Sequence, residues 1–199
     1  MKKIHLVSFL LLITTISSCQ DKKIILEKKL DCEILYDKYL EKFSLREKDS
    51  ALFYINKCIK CDPSKSENKF IKVQLLTSMR DYKNAILVFD DLKLGVDDPS
   101  LIMQKGVLML KIQDANSKKI LEESYSRLKK IENPTSNNEF YKIALDNYFS
   151  NKDYSLNEVI KFKEKYKGKP YENQNINALE DLINKETKEN VLFKLFSIN

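Results

Sequence analysis

The chain has no tryptophan, one histidine, three glycines and four prolines in 199 residues, and each scarcity removes a class of protein. The single histidine, His5, lies in the first few residues. The rest of the chain therefore offers no imidazole for a catalytic triad, a Cys–His pair or a zinc site of the common kinds. Gly95, Gly106 and Gly168 are too far apart to form a glycine-rich phosphate cradle. Few breakers in a chain rich in Lys, Leu, Glu, Ile and Asn favour helices over strands. The longest apolar stretch, Leu6–Ile16, covers 11 residues. At about 1.5 Å per residue it reaches roughly half of a ~30 Å hydrocarbon core, so it is too short to span a membrane as a helix.

What is present at the N-terminus is a targeting signal. Lys2 and Lys3 precede the apolar stretch, and Ser17, Ser18 and Cys19 follow it. This order resembles the lipobox of bacterial lipoproteins, with Ile16 in place of the usual Leu. The resemblance implies that residues 1–18 are removed and that Cys19 is diacylated, freed and acylated again. Two or three acyl chains, at ~0.8 kcal/mol per buried CH₂, make release from the membrane negligible. Residues 19–23 form the lipidated end and a short tether, and 24–199 the folded domain. Gln20 rather than Asp after the cysteine leans towards the outer over the inner membrane. Loss of the leader takes Lys2, Lys3 and His5 and no acid, leaving 33 bases against 29 acids, a net charge of +4. Export excludes nucleic acid as a partner.

The four prolines recur at 63, 99, 134 and 170, with gaps of 36, 35 and 36 residues. A period of this length marks stacked helical hairpins. In the string LLTSMRDYKNAILVFDDLKL (75–94), Tyr82, Ala85, Phe89 and Leu92 share one helix face, after a polar turn at Arg80-Asp81. This segment resembles the second half of a tetratricopeptide repeat, with Ala85 where two helices must approach closely. Ala51, Ile55 and Cys58 fit the same frame. Gly106 resembles the family's small first-helix residue, and Leu121, Tyr125 and Leu128 form the next second-helix face after a longer turn, QDANS. A degenerate fourth unit places Tyr141, Ala144, Leu145 and Tyr148 on its first helix and Val159, Ile160 and Phe162 on its second.

The expected fold is all-α: a right-handed α-solenoid of about four such hairpins. Residues 24–43 form its first helix, 168–175 a loop, and 178–196 one amphipathic capping helix. The resemblance also implies a concave surface built from first helices. By frame, Tyr36, Leu40, Phe70, Gln74 and Thr77 line one part of it, and Met103, Val107, Tyr141 and Leu145 the rest. Aromatics and Met suit peptide anchors; the alternative is that several simply pack between helices.

Cys58 and Cys61 form a CxxC, but at a helix C-terminus, where the dipole raises thiol pKa. In a helical hairpin the start of the first helix lies beside the end of the second. A Cys32–Cys61 or Cys32–Cys58 disulfide therefore fits an exported chain, as do free packed thiols. Adjacent carboxylates (Asp90/Asp91, Asp97/Asp98, Glu122/Glu123) point about 100° apart on a helix, poor geometry for sharing a proton or a metal. Lysines at 161, 163, 165, 167 and 169 spread around a helix and form no stripe. No enzyme, metal or cofactor is expected. The chain reads as a membrane-anchored module for an envelope protein or peptide; the alternative is a lipoprotein that binds a small molecule or oligosaccharide for a transporter.

Overall fold

A computed structural model describes residues 31–92 and 98–198. The leader (1–18), Cys19, the tether (19–23), residues 24–30 of the expected first helix, and Gly95 and Asp97 lie outside the described residues. Within them all regular structure is helical, with no strand. Helix α1 covers 31–44 and is followed by α2 (Lys48–Cys61), α3 (Ser66–Ser78), α4 (Tyr82–Asp91) and α5 (Pro99–Lys111). Then come α6 (Ser117–Lys129), α7 (Ser136–Phe149), α8 (Lys152–Lys165), α9 (Pro170–Lys185) and α10 (Lys188–Leu195). Among the described residues no helix is long and apolar enough to cross a membrane.

The proline period marks the starts of every second helix from α3 on. Pro63 lies in the turn before α3, and Pro134 just precedes Thr135, the N-cap of α7. Pro99 and Pro170 occupy the first turns of α5 and α9, where a missing N–H costs nothing. Side-chain caps mark several helix starts, though not those of α2 and α6. The Asp81, Asp98, Asn151 and Thr187 side chains accept from the backbone N–H of Asn84, Ser100, Tyr154 and Asn190 respectively. Thr135 and Asn138 form a reciprocal capping box at α7.

The ends of α1, α3 and α5 share one geometry. Arg46 (φ 60°), Arg80 (φ 64°) and Gln113 (φ 59°) are left-handed, 34 and 33 residues apart. In each case the next residue's N–H reaches back five residues: Glu47 to the Lys42 carbonyl, Asp81 to Leu76, Asp114 to Met109, at 2.9–3.0 Å. This is the Schellman closure, with long polar residues where glycine is usual. The same hairpin turn thus recurs three times.

The chain forms two compact units, one through Lys72 and one from Val73; the boundary falls within α3. The first unit buries Tyr39, Ala51, Ile55 and Cys58. Its α1 and α2 are joined covalently by a Cys32–Cys61 disulfide with Cα atoms 5.7 Å apart.

In the second unit α5 packs on α4 and α6, α7 on α6 and α8, and α9 on α8 and α7. The small residue four positions after the N-cap is Ala85 in α4 and Ser155 in α8, both fully buried, as is Ala51 at the same place in α2. In α6 that position holds Ile120 instead. Room is made on the opposing helix: a Cβ added at Gly106 would lie 2.8 Å from Leu121 Cδ2 and 3.3 Å from Ile120 Cγ2. The crossing stays tight by moving the missing volume from α6 to α5.

Three expectations are corrected. Residues 170–175 are helical, because Pro170 opens α9 rather than prolonging a loop. The stretch 178–196 is two helices, broken at Glu186-Thr187. Ile176, Leu179 and Ile183 line one face of α9. A helix continued through Thr187, Asn190 and Lys194 would prolong that face with polar residues and turn Val191 and Leu192 elsewhere, so the break is what lets both apolar sets be buried. Finally, Val159 and Phe162 are buried but Ile160 is 53% exposed, lying about 100° round the helix from Val159.

Candidate interaction surface

The nine residues expected to line a concave surface fall into two groups. In the first unit, Tyr36 and Phe70 are half-buried and Leu40 is exposed. Tyr36, Leu40 and Phe43 lie at i, i+4 and i+7 on α1, so they form one stripe. Leu40 is 45% exposed, Phe43 49% and Leu45, just past the helix end, 58%. Tyr39, beside the stripe, is buried, and its ring lies 5.6 Å from Tyr36 and 5.8 Å from Phe43. Burial, with Tyr36 nearby, pushes the Tyr39 hydroxyl above its usual pKa. The Lys65 ammonium lies 5.5 Å from the Tyr36 ring centre. The result is a solvent-facing apolar strip with a cation at its edge.

In the second unit the expectation fails for most positions. Met103, Val107 and Leu145 are fully buried, and Thr77 is buried with its hydroxyl donating to the Val73 carbonyl at 2.8 Å. Gln74 is exposed, and Tyr141 is half-buried with its pKa raised chiefly by that burial. Part of the reason on α5 and α7 is α10, which packs on both as well as on α9. The Phe196 ring, just past α10, stacks nearly parallel on Tyr141 at 5.9 Å, and Lys111 of α5 lies 4.8 Å from the Phe193 ring. This part of the expected surface is covered by the chain itself. Nothing local in the sequence signals that return.

Comparison with known protein families, curated proteins and solved structures finds no match for this chain.

Cys61 is bonded to Cys32, so the CxxC does not close on itself. Cys58 is free and buried, and burial pushes its thiol pKa up, away from the reactive thiolate. Among the described residues no group of three or more His, Cys, Asp or Glu is placed to hold a metal. The adjacent carboxylates are engaged separately. Asp90 pairs with Lys105 at 2.5 Å, Glu123 with Arg127 at 2.7 Å, and Asp98 caps α5. The alternating lysines also diverge: Lys161 meets Glu158 of its own helix, Lys163 meets Glu180 of α9, and Lys165 meets Glu139 of α7.

One polar cluster escaped sequence reading. Asp146 of α7 is fully buried, accepts from the Tyr125 hydroxyl of α6 at 2.5 Å and pairs with Lys142 at 2.8 Å. Burial, reinforced by the Asp146 bond, raises the Tyr125 pKa well above its usual value. Burial pulls on the Lys142 ammonium in the opposite sense, but Asp146 and Glu158 outweigh it and hold its pKa up. The cluster ties α6, α7 and α8 together. A polar residue at an inward position of α7, with Tyr125 one turn after Leu121, is the only signal the sequence carries for it.

Beside this cluster lies a cavity of about 380 Å³ lined by α6, α7 and α8, and a second of about 250 Å³ lies among α4, α5 and α6. Lys142, Lys161 and Lys165 on the wall of the larger one are each paired with a carboxylate. Lys129, also on the wall, lies 4.0 Å from the Tyr125 ring centre.

Proposed function

We propose that the chain is a membrane-anchored interaction module of the bacterial envelope, held by acyl chains on Cys19 and binding a protein or peptide partner. The hairpins are read as tetratricopeptide-like repeats wound in a right-handed sense. The observation that carries the reading is the exposed stripe of α1, where Leu40 and Phe43 present nearly half of their surface to water. Leucine and phenylalanine left open on one helix face, beside an aromatic and a cation, have the composition of a protein-binding anchor strip. The ligand-binding alternative would draw on the larger cavity, where Lys142, Lys161 and Lys165 are already paired with carboxylates and Lys129 lies over the Tyr125 ring.

The test is crosslinking in cells of the tagged chain, with mass spectrometry of what is captured. A Leu40→Glu/Phe43→Glu variant serves as control. A discrete envelope protein captured by the native chain and lost in the variant supports the reading. Capture that is unchanged in the variant removes α1 as the surface. A parallel Cys19→Ala variant should shift the protein from the membrane to the soluble fraction; continued membrane retention would refute the anchor.

A further inference from the structure

The exposed apolar stripe of α1 has a charged margin of one sign. Glu33, Asp37 and Glu41 stand at i, i+4 and i+8 of the helix, and all three are exposed. At about 100° per residue, Glu33 and Asp37 lie roughly 20° and 60° round the helix from Leu40, on the side away from Tyr36 and Phe43. The helix also carries two lysines, and the fold turns both of them elsewhere. The Lys38 ammonium lies 5.8 Å from the centre of the Tyr54 ring of α2, and Lys42 pairs with Glu47 at 3.1 Å. No ion pair among the described residues takes Glu33 or Asp37, and Glu41 meets Lys42 at 3.6 Å. The chain as a whole is basic, with a formal charge of +6. The acidic margin is therefore a local reversal, set along the exposed leucine and phenylalanine.

That margin discriminates between occupants. An apolar stripe alone would suit a lipid surface, but an anionic one would here meet three carboxylates. A protein segment with Lys or Arg beside its apolar residues finds both halves of the surface matched. The stripe runs along one helix for two turns, about 10 Å from Tyr36 to Phe43, and its charges follow the same period. A second helix laid along it repeats both rows at that period, as charged positions do beside the apolar seam of a coiled coil.

We infer that the α1 stripe receives an amphipathic helix of a partner protein, with Leu, Met or Phe against Tyr36, Leu40 and Phe43 and with Lys or Arg along Glu33, Asp37 and Glu41. This rests on the reading of α1 as an interaction surface and adds the sign of the partner's charge.

The experiment uses the full chain with Cys19→Ala, so that no acyl chain contributes, and two fluorescein-labelled peptides about five helical turns long. One repeats leucine and lysine at the helical period; the other has glutamate in place of lysine. Anisotropy should show the lysine peptide bound at least tenfold more tightly than the glutamate peptide, and less tightly as salt rises. Glu33→Lys/Asp37→Lys/Glu41→Lys should invert that order. Leu40→Ala/Phe43→Ala should weaken the lysine peptide at least tenfold, since charge alone does not hold it. Should the charge-reversed chain lose its helical circular dichroism, Glu33→Gln/Asp37→Asn/Glu41→Gln replaces it, and the preference should fall at least threefold. Equal binding of the two peptides, binding of neither, or an order unmoved by the charge variants overturns the inference. Retention on phosphatidylglycerol vesicles that Leu40→Glu/Phe43→Glu abolishes overturns it too, by assigning the stripe to lipid. Self-association abolished by the same variant does so by assigning it to a second copy. The inference and the reading beneath it fail separately. An envelope protein whose capture in cells is lost with Leu40→Glu/Phe43→Glu but kept by the charge-reversed chain would sustain α1 as the surface and refute a basic partner.

Discussion

Replacing Cys32 and Cys61 together by serine opens the covalent loop of the first unit and tests how much of its stability is topological. The separation of 29 residues closes a loop of about 30. In the chain-entropy treatment such a loop removes about 12 cal/mol/K from the unfolded ensemble, or about 3.6 kcal/mol at 25 °C. Both cysteines are only half-buried, so serine adds little desolvation of its own. Because the molecule has two compact units, a single global midpoint would mix their transitions. Native-state hydrogen exchange of the α2 amides around Ile55 and Cys58 reads the first unit alone. The expected outcome is exchange accelerated a few hundredfold, the factor that 3.6 kcal/mol implies. Acceleration below tenfold would refute the entropic argument. Non-reducing peptide mapping that placed Cys58 in the bridge would refute the pairing itself. Cys58→Ser, which leaves the loop closed, separates the bridge from the buried thiol.

Three further outcomes follow from the second unit and its turns. Gly106→Ala should destabilise by about 1–3 kcal/mol despite alanine's better helix propensity, because Leu121 is fully buried and has nowhere to move; thermal unfolding checks this, and Leu121→Val in the same chain should recover part of the loss. Arg80→Gly should raise stability by roughly 0.5–1 kcal/mol, since a left-handed residue with a side chain is replaced by one that tolerates φ near 64°; a lowered urea midpoint would contradict the turn geometry. The Lys161 hydrogen bond, with Lys142 nearby, holds the Glu158 carboxyl below its usual 4.5. A lowered folded pKa gives stability that is fully present above the unfolded value and is lost as pH falls through the folded one. Urea midpoints measured from pH 6 down to 3 should therefore drop below about pH 4.5, and Glu158→Gln should flatten that part of the profile.

The sequence disclosed the hairpins best where a residue type has one physical use. Proline tolerates a helix only in its first turn, so Pro99 and Pro170 lie at the starts of α5 and α9. Ala85 is read correctly because a close helix crossing admits little else. Legibility fails where the device is shared or long-range. The left-handed turn residues are Arg46, Arg80 and Gln113, not the glycine that would announce them. The break before α10 is written only as a threonine three residues ahead of an asparagine, in a stretch with no glycine or proline. Met103, Val107 and Leu145 were placed on an open surface because nothing near them in the chain reveals that residues some 50–90 positions later cover α5 and α7. Gly106 was recognised as a small first-helix residue, but its necessity comes from Ile120 and Leu121, which belong to the other helix.

The position of the disulfide decides how the first unit responds to force. Any pull applied through the residues ahead of Asp31 reaches Cys32 in the first described turn of α1 and crosses directly to Cys61, the last residue of α2. From there tension passes into the turn at Asp62–Lys65 and then into α3. Helices α1 and α2 lie inside the closed loop, off the line of tension, and cannot be peeled apart from the N-terminal end while the bond is intact. Under a pull from its N-terminal side the chain would thus keep its α1 stripe folded, and reduction of a single covalent bond would put both helices under strain in series.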